Sequence, residues 1–168
     1  RRTLYELSLR KTGKNFNMKI KVGVFFGGRS VEHEVSIISA IQAINAIDKE
    51  QYSVIPIYIT KQGVWYTGEP LLNLANYQEM DKLLAKCHKI LLPVNAGEPL
   101  LLNYPIRLFK KHVINQIDVA FPVFHGTHGE DGAIQGLFEL INLPYVGCDV
   151  LSSAVGMNKI AMKQMLKA

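Results

Sequence analysis

An α/β fold, a parallel sheet with helices packed on it, is what the sequence predicts, and three stretches predict it. Residues 20–26 form a β-branched and aromatic run that passes through Gly27-Gly28-Arg29-Ser30 into a helical pattern. Residues 52–60 are β-branched and alternating, so a second strand follows that helix, and a right-handed crossover joins the two. Residues 118–124 are a third apolar run, and they lead into His125-Gly126-Thr127-His128-Gly129-Glu130-Asp131-Gly132 and then a helical stretch. A strand ending in a glycine-rich loop that turns into a helix is where such folds seat a ligand. Glycines admit close approach, and the helix N-terminus offers unpaired N–H groups.

Taken in order, residues 1–17 have no sustained periodicity, and Met18 reads as a fresh start. The expectation is that residues 1–17 are an extension outside the native domain. From Val31, the apolar positions Val31, Val35, Ile38, Ile41, Ile44 and Ile47 recur at steps of three and four, which predicts one buried face, with Ser30 as N-cap. Residues 62–66 suggest a hairpin or edge piece. Residues 74–92 carry a weaker helical pattern, and the turn at residues 95–99 joins 90–92 to 100–102 as a small hairpin. After the helix at residues 133–141, residues 143–147 are a short strand. Asp149 or Ser152 caps a last helix that runs past Met157 and Met162 to the end of the chain.

The chain has 168 residues, 48% hydrophobic and 20% charged, enough for one proper core. No apolar stretch has the length of a membrane span, so no membrane association is expected. The two cysteines, Cys87 and Cys148, lie far apart, which suits a reduced, cytoplasmic setting. The net charge of +5 suggests a nucleic-acid partner until it is located: residues 1–17 carry +4 of it and the rest +1. A nucleic-acid surface would put its basic stripe on the folded domain, so none is expected.

Three constellations carry chemistry. Gly27-Gly28-Arg29-Ser30-Val31-Glu32-His33-Glu34 has neither the P-loop spacing nor G-x-G-x-x-G. Its glycine turn followed by carboxylates suits an ammonium better than a phosphate, though Glu32 and Glu34 in a first helical turn also simply complement the dipole. In the loop at residues 125–132, His125, His128, Glu130 and Asp131 are metal-ligand types, but glycines separate them, and Glu130 or Asp131 serves equally as N-cap of the helix from Ala133. His125, at the strand end, is the better candidate for touching an anionic or carbonyl group. Lys159, on the last helix, reads from spacing alone as a solvated charge.

The first constellation resembles the N-terminal motif of D-alanine–D-alanine ligases, and residues 125–132 match that family's H-G-x-x-G-E-D-G signature at every fixed position. Gln135-Gly136, Pro144-Tyr145-Val146-Gly147 and Met157-Asn158-Lys159 continue in the family's order over residues 18–168, more loosely between 61 and 115. The resemblance implies a Rossmann-like N-terminal substrate domain at residues 18–150, and at residues 151–168 the start of an ATP-grasp central domain that is cut short. It implies ATP-dependent joining of two D-alanines through an acylphosphate, for peptidoglycan precursors and hence cell shape. ATP and Mg2+ (or Mn2+) would be held mainly by residues absent from this chain, which alone is expected to be inactive. By the same resemblance Glu32 holds the ammonium of the first D-alanine, and His125 sits near its reacting carboxylate. Gly129 and Gly132 shape the loop beneath the substrate, Lys159 approaches the nucleotide phosphates, and a homodimer is implied. D-lactate or D-serine as second substrate, a non-catalytic dimerisation module, and a small metalloenzyme using His125, His128 and Glu130 are the competing readings.

Overall fold

The computed structural model describes residues 19–106 and 112–167, so the expectations about residues 1–17 and Met18 lie outside the described residues. Its strands are β1 (Ile20–Gly27), β2 (Tyr52–Ile59), β3 (Trp65–Thr67), β4 (His88–Leu91), β5 (Leu100–Asn103), β6 (Val113–Gln116) and β7 (Val119–Val123). The helices are α1 (His33–Ala46), α2 (Met80–Ala85), α3 (Ala133–Leu140), α4 (Val150–Met157) and α5 (Lys159–Met165). All seven strands form one sheet in the order β6-β5-β4-β3-β2-β1-β7.

The α/β class stands, with one correction: the sheet is mixed. β1 is central to a parallel trio, with β2 on one side and β7 on the other, while β3 to β6 run antiparallel to their neighbours. A parallel pair needs a crossover of a dozen or more residues, which the tight turn at residues 60–64 between β2 and β3 does not provide. The hairpin expected around residues 95–99 is there, with Leu91 paired to Leu102. The helical pattern at residues 74–92 is not one helix. It breaks into the 3-10 turn Leu74–Gln78, the short α2, and β4. The strand expected at residues 143–147 reduces to a single parallel bridge from Tyr145 to Ala120.

Successive residues of β1 point to opposite faces of the sheet and build two cores. Val24 and Phe26 pack with Ile37, Ala40 and Ile44 of α1, whereas Phe25 packs with Ile134 and Phe138 of α3. The layering is therefore α1, sheet, α3, and both glycine-rich motifs leave the sheet at the same edge, after β1 and after β7.

The buried face of α1 agrees with the expected one in its second half, at Ile41 and Ile44, and differs in its first. Val31 is 99% exposed and Val35 and Ile38 about half, at 48% and 46%. The inward positions are His33, Ser36, Ile37, Ala40, Ile41 and Ile44. Ser30 is not the cap either: Glu32 holds that position without a side-chain cap bond, while the Ser30 hydroxyl accepts from the Glu32 N–H at 3.1 Å. The last helix is likewise two. Asp149 caps α4 through the Ser152 N–H, and Asn158 ends it and starts α5 by accepting from the N–H groups of Ile160 and Ala161.

Candidate functional site

The site begins with the way α1 is tied to the ends of β1 and β7. The chain turns out of β1 at Gly27, whose φ of +87° and whose closeness to the Ile59 carbonyl, 2.3 Å from where a Cβ would sit, leave no room for a side chain. The buried Ser36 hydroxyl accepts from the Gly27 N–H at 2.8 Å and donates to the Val123 carbonyl at 2.5 Å, so one side chain joins both strand ends. His33, 2% exposed, has Nδ1 2.7 Å from the Gly28 carbonyl and Nε2 2.9 Å from the Tyr58 hydroxyl. A carbonyl only accepts, so Nδ1 carries a proton and the imidazole clamps the glycine turn. One turn further along α1, the Ser39 hydroxyl meets Nε2 of His125 at 2.9 Å.

These ties bring the two motifs together. Gly126, with φ of +78°, faces the first motif: a Cβ there would stand 2.6 Å from Ser30 Oγ and 2.9 Å from Glu32 Oε2. The Glu32 carboxylate therefore lies over the loop at Gly126, the residue that follows His125 in the chain. The neighbouring acids are committed elsewhere. Glu34 pairs with Lys61, whose hydrogen bond to it holds the Glu34 carboxyl below its usual range. Glu130 accepts from the Gly126 N–H at 2.7 Å, and Asp131 accepts from the His128 and Ala133 N–H groups at 2.8 and 3.1 Å. Glu32 has no hydrogen-bond or ion-pair partner for its carboxylate among the described residues, and it is exposed. An exposed, unengaged carboxylate over the loop that carries a half-buried imidazole, at the C-terminal edge of a parallel sheet, is chemically suited to a cationic group, and a neutral or charged imidazole N–H to an anionic one.

The rest of the loop is scaffolding. Burial pushes the Asp131 carboxyl up, but the N–H bonds from His128 and Ala133 outweigh it and hold it below the usual aspartate range. The cap position of α3 is Gly132 rather than Glu130 or Asp131, yet Asp131 does serve the Ala133 N–H from one residue back. Gly129 is required because a Cβ there would lie 2.1 Å from the Cβ of Phe124, and Gly132 because one would lie 2.8 Å from the Val150 carbonyl. Gln135 reinforces the loop by donating to the Gly129 carbonyl at 2.9 Å. His128 is exposed, with φ of +65°.

No group of three or more His, Cys, Asp or Glu that could hold a metal occurs among the described residues, which removes the support for a site built from His125, His128 and Glu130. Lys159 stands exposed at the first position of α5, and its ammonium makes no ion pair among the described residues. One exposed ammonium without an acid cluster beside it does not make a nucleotide–magnesium site. Sequence reasoning singled out Glu32 and His125 and gave Ser30 only a capping part, while Ser36, Ser39 and His33, which tie α1 to the two strand ends and to His125, were assigned no role. The signal that could have found them is the small polar spacing Ser36 and Ser39, three residues apart on one helix face.

Residues 21–148 match the family described as the D-ala D-ala ligase N-terminus. The D-alanine–D-alanine ligase of Thermosipho melanesiensis is 47% identical over 148 residues, covering 88% of this chain and 39% of that protein. That of Geobacillus kaustophilus is 44% identical over 149 residues, with the same coverage, 88% and 39%. The chain thus spans about two-fifths of the length of these relatives. Among solved structures, the D-alanine–D-alanine ligase of Coxiella burnetii superposes with a TM-score of 0.75 at 35% identity, over 89% of this chain and 41% of that one. The VanG D-Ala:D-Ser ligase of Enterococcus faecalis does so with 0.72 at 34%, over 89% and 42%.

Proposed function

The chain belongs to the D-alanine–D-alanine ligase family, and from that premise we propose that it supplies the pocket for the first D-alanine of an ATP-dependent ligase. Glu32 takes the ammonium and His125 lies against the carboxylate that is to be activated. The observation that carries this reading is that, of the acids of the two motifs, Glu32 is the one left unengaged among the described residues, and its carboxylate lies over Gly126, the residue after His125 in the chain. Gly129 and Gly132 act by giving the loop its shape, and Lys159 is the nucleotide-facing cation. In the complete reaction ATP supplies the phosphoryl group that makes the carboxylate an acylating agent, with Mg2+ or Mn2+ neutralising phosphate charge. The contribution of these residues is to bind and orient the zwitterion, which lowers the entropic part of the barrier. On this reading the product is a peptidoglycan precursor and the enzyme works in the cytoplasm, where ATP is. D-alanine is favoured over D-serine as second substrate by relatives named D-alanine–D-alanine ligase at 47% and 44% identity.

A homodimer is part of the same proposal, supported by the outward apolar positions Val35 and Ile38 on α1 together with Val31 in the turn before it. The binding reading is tested by titrating the chain with D-alanine and following the amide resonances of residues 30–39 and 124–132. Perturbation centred on Glu32, Gly126 and His125 is expected, weaker with L-alanine and at least tenfold weaker in affinity for Glu32→Gln. Equal response to both enantiomers, or an E32Q variant that binds as the wild type does, would sink it.

A further inference from the structure

We infer that Ser39 is a positioning residue: its hydroxyl donates to Nε2 of His125 and thereby makes Nδ1 the N–H that the imidazole presents to the ligand. The inference rests on the D-alanine reading of the site for its purpose, but its geometry stands without it.

Both side chains are half-buried, Ser39 on the inner side of α1 and His125 just after β7, and Oγ lies 2.9 Å from Nε2. Among the described residues neither group has another side-chain partner. We assign the direction of the bond from the count of protons and acceptors on the two side chains. A hydroxyl has one proton to give. If Nε2–H donated to Ser39, the serine's own proton would be left without a described acceptor, although a serine in a helix commonly returns it to the carbonyl four residues back. If Ser39 donates, its one proton is used. A neutral ring whose Nε2 accepts must carry its proton on Nδ1. Among the described residues Nδ1 has no partner, so it is the nitrogen left for a ligand. The two tautomers then differ in kind: Nδ1–H attracts a carboxylate, whereas a bare Nδ1 lone pair repels it.

Ser39 does not act alone. Ser36, three residues earlier on the same helix, bonds the Val123 carbonyl two residues before His125. The pair therefore fixes where β7 ends and which way the ring behind it is turned. Glu32 sits at the N-cap of that same helix. One rigid element thus sets both the ammonium receptor and the carboxylate donor, and their separation is a property of α1.

The test reads the tautomer directly. Long-range 1H–15N spectra of the chain, at about pH 8.5 where imidazole is neutral, are expected to show His125 in the Nδ1–H form. Ser39→Ala is expected to move it to the Nε2–H form, and Ser39→Thr, which keeps the hydroxyl, to restore Nδ1–H. D-alanine affinity should follow, about tenfold weaker for S39A and within about threefold of wild type for S39T. An Nε2–H form in the wild type, or S39A spectra identical to it, would overturn the proposal. A correct tautomer response with no D-alanine binding in any variant would instead overturn the substrate reading and leave the Ser39–His125 pairing intact.

Discussion

A methyl group added at Gly126 would meet Ser30 Oγ and Glu32 Oε2 at 2.6 and 2.9 Å, in a backbone already at positive φ. Gly97 is the internal control: its φ is +91°, yet nothing lies within 4 Å of where its Cβ would be. Gly97→Ala should therefore cost only the left-handed strain, about 1 kcal/mol. Gly126→Ala should cost roughly 1 kcal/mol more, because a displaced carboxylate and hydroxyl must find new places. Urea midpoints of the two variants measure the difference, and equal midpoints would mean that Glu32 does not rest on Gly126. Chemistry is concentrated in few atoms here. Gly126 is where the two motifs touch, and it is legible in the sequence only as one glycine among several.

The loop and α1 each carry a lesson about elements. Asp131 is held below its usual range by two N–H donors, so it binds fewer protons folded than unfolded. Its support of the loop is complete above the ordinary aspartate value, about 3.9, and is lost as the pH falls through the lower folded value. The amide shifts of His128 and Ala133 should hold steady on acidification to about pH 4 and move together below it. Asp131→Asn, with one acceptor oxygen for two donors, should show the loosened shifts at neutral pH and no such transition. A transition centred above the ordinary aspartate value would refute the capping role. The existence of α1 was readable from its period, but its rotation only in part. Hydrophobic spacing rightly selects Ile41 and Ile44, and Ile47 against the core, but it also selects Val31, Val35 and Ile38, which face outward, and passes over His33, Ser36 and Ala40, which face in. Buried polar groups are tolerated because Gly28, Tyr58, Gly27 and Val123 satisfy them, and those partners lie in strands or just past a strand end, which periodicity within one helix never sees. The loop's chemistry was legible because it is contiguous: Glu130, Asp131 and the residues they serve lie within a short stretch of chain.

For the whole molecule, the outward stripe of α1 has its own expected outcome. Sedimentation of the chain at micromolar concentration should give a dimer, and Ile38→Glu, an exposed position whose change leaves the core untouched, should give a monomer. A wild-type monomer would remove the stripe as an interface. The parallel trio was legible because its strands are long or followed by glycine turns. The antiparallel extension was not, since β3 to β6 have three or four residues each and too few alternations to establish a period.

The pairing of β1 with β7 also orders events in time. Lys21 and Asp118, 97 residues apart in sequence, exchange bonds at 2.8 and 2.9 Å where the two strands meet. The turns and hairpins between β2 and β6 close short loops, whereas this contact closes a far longer one, and loop entropy makes it slow. Glu32 travels with the first strand and His125 with the last. The two motifs meet only when these distant partners join, so a ligand that bridged them would act as a latch on that join, slowing its opening rather than hastening its formation.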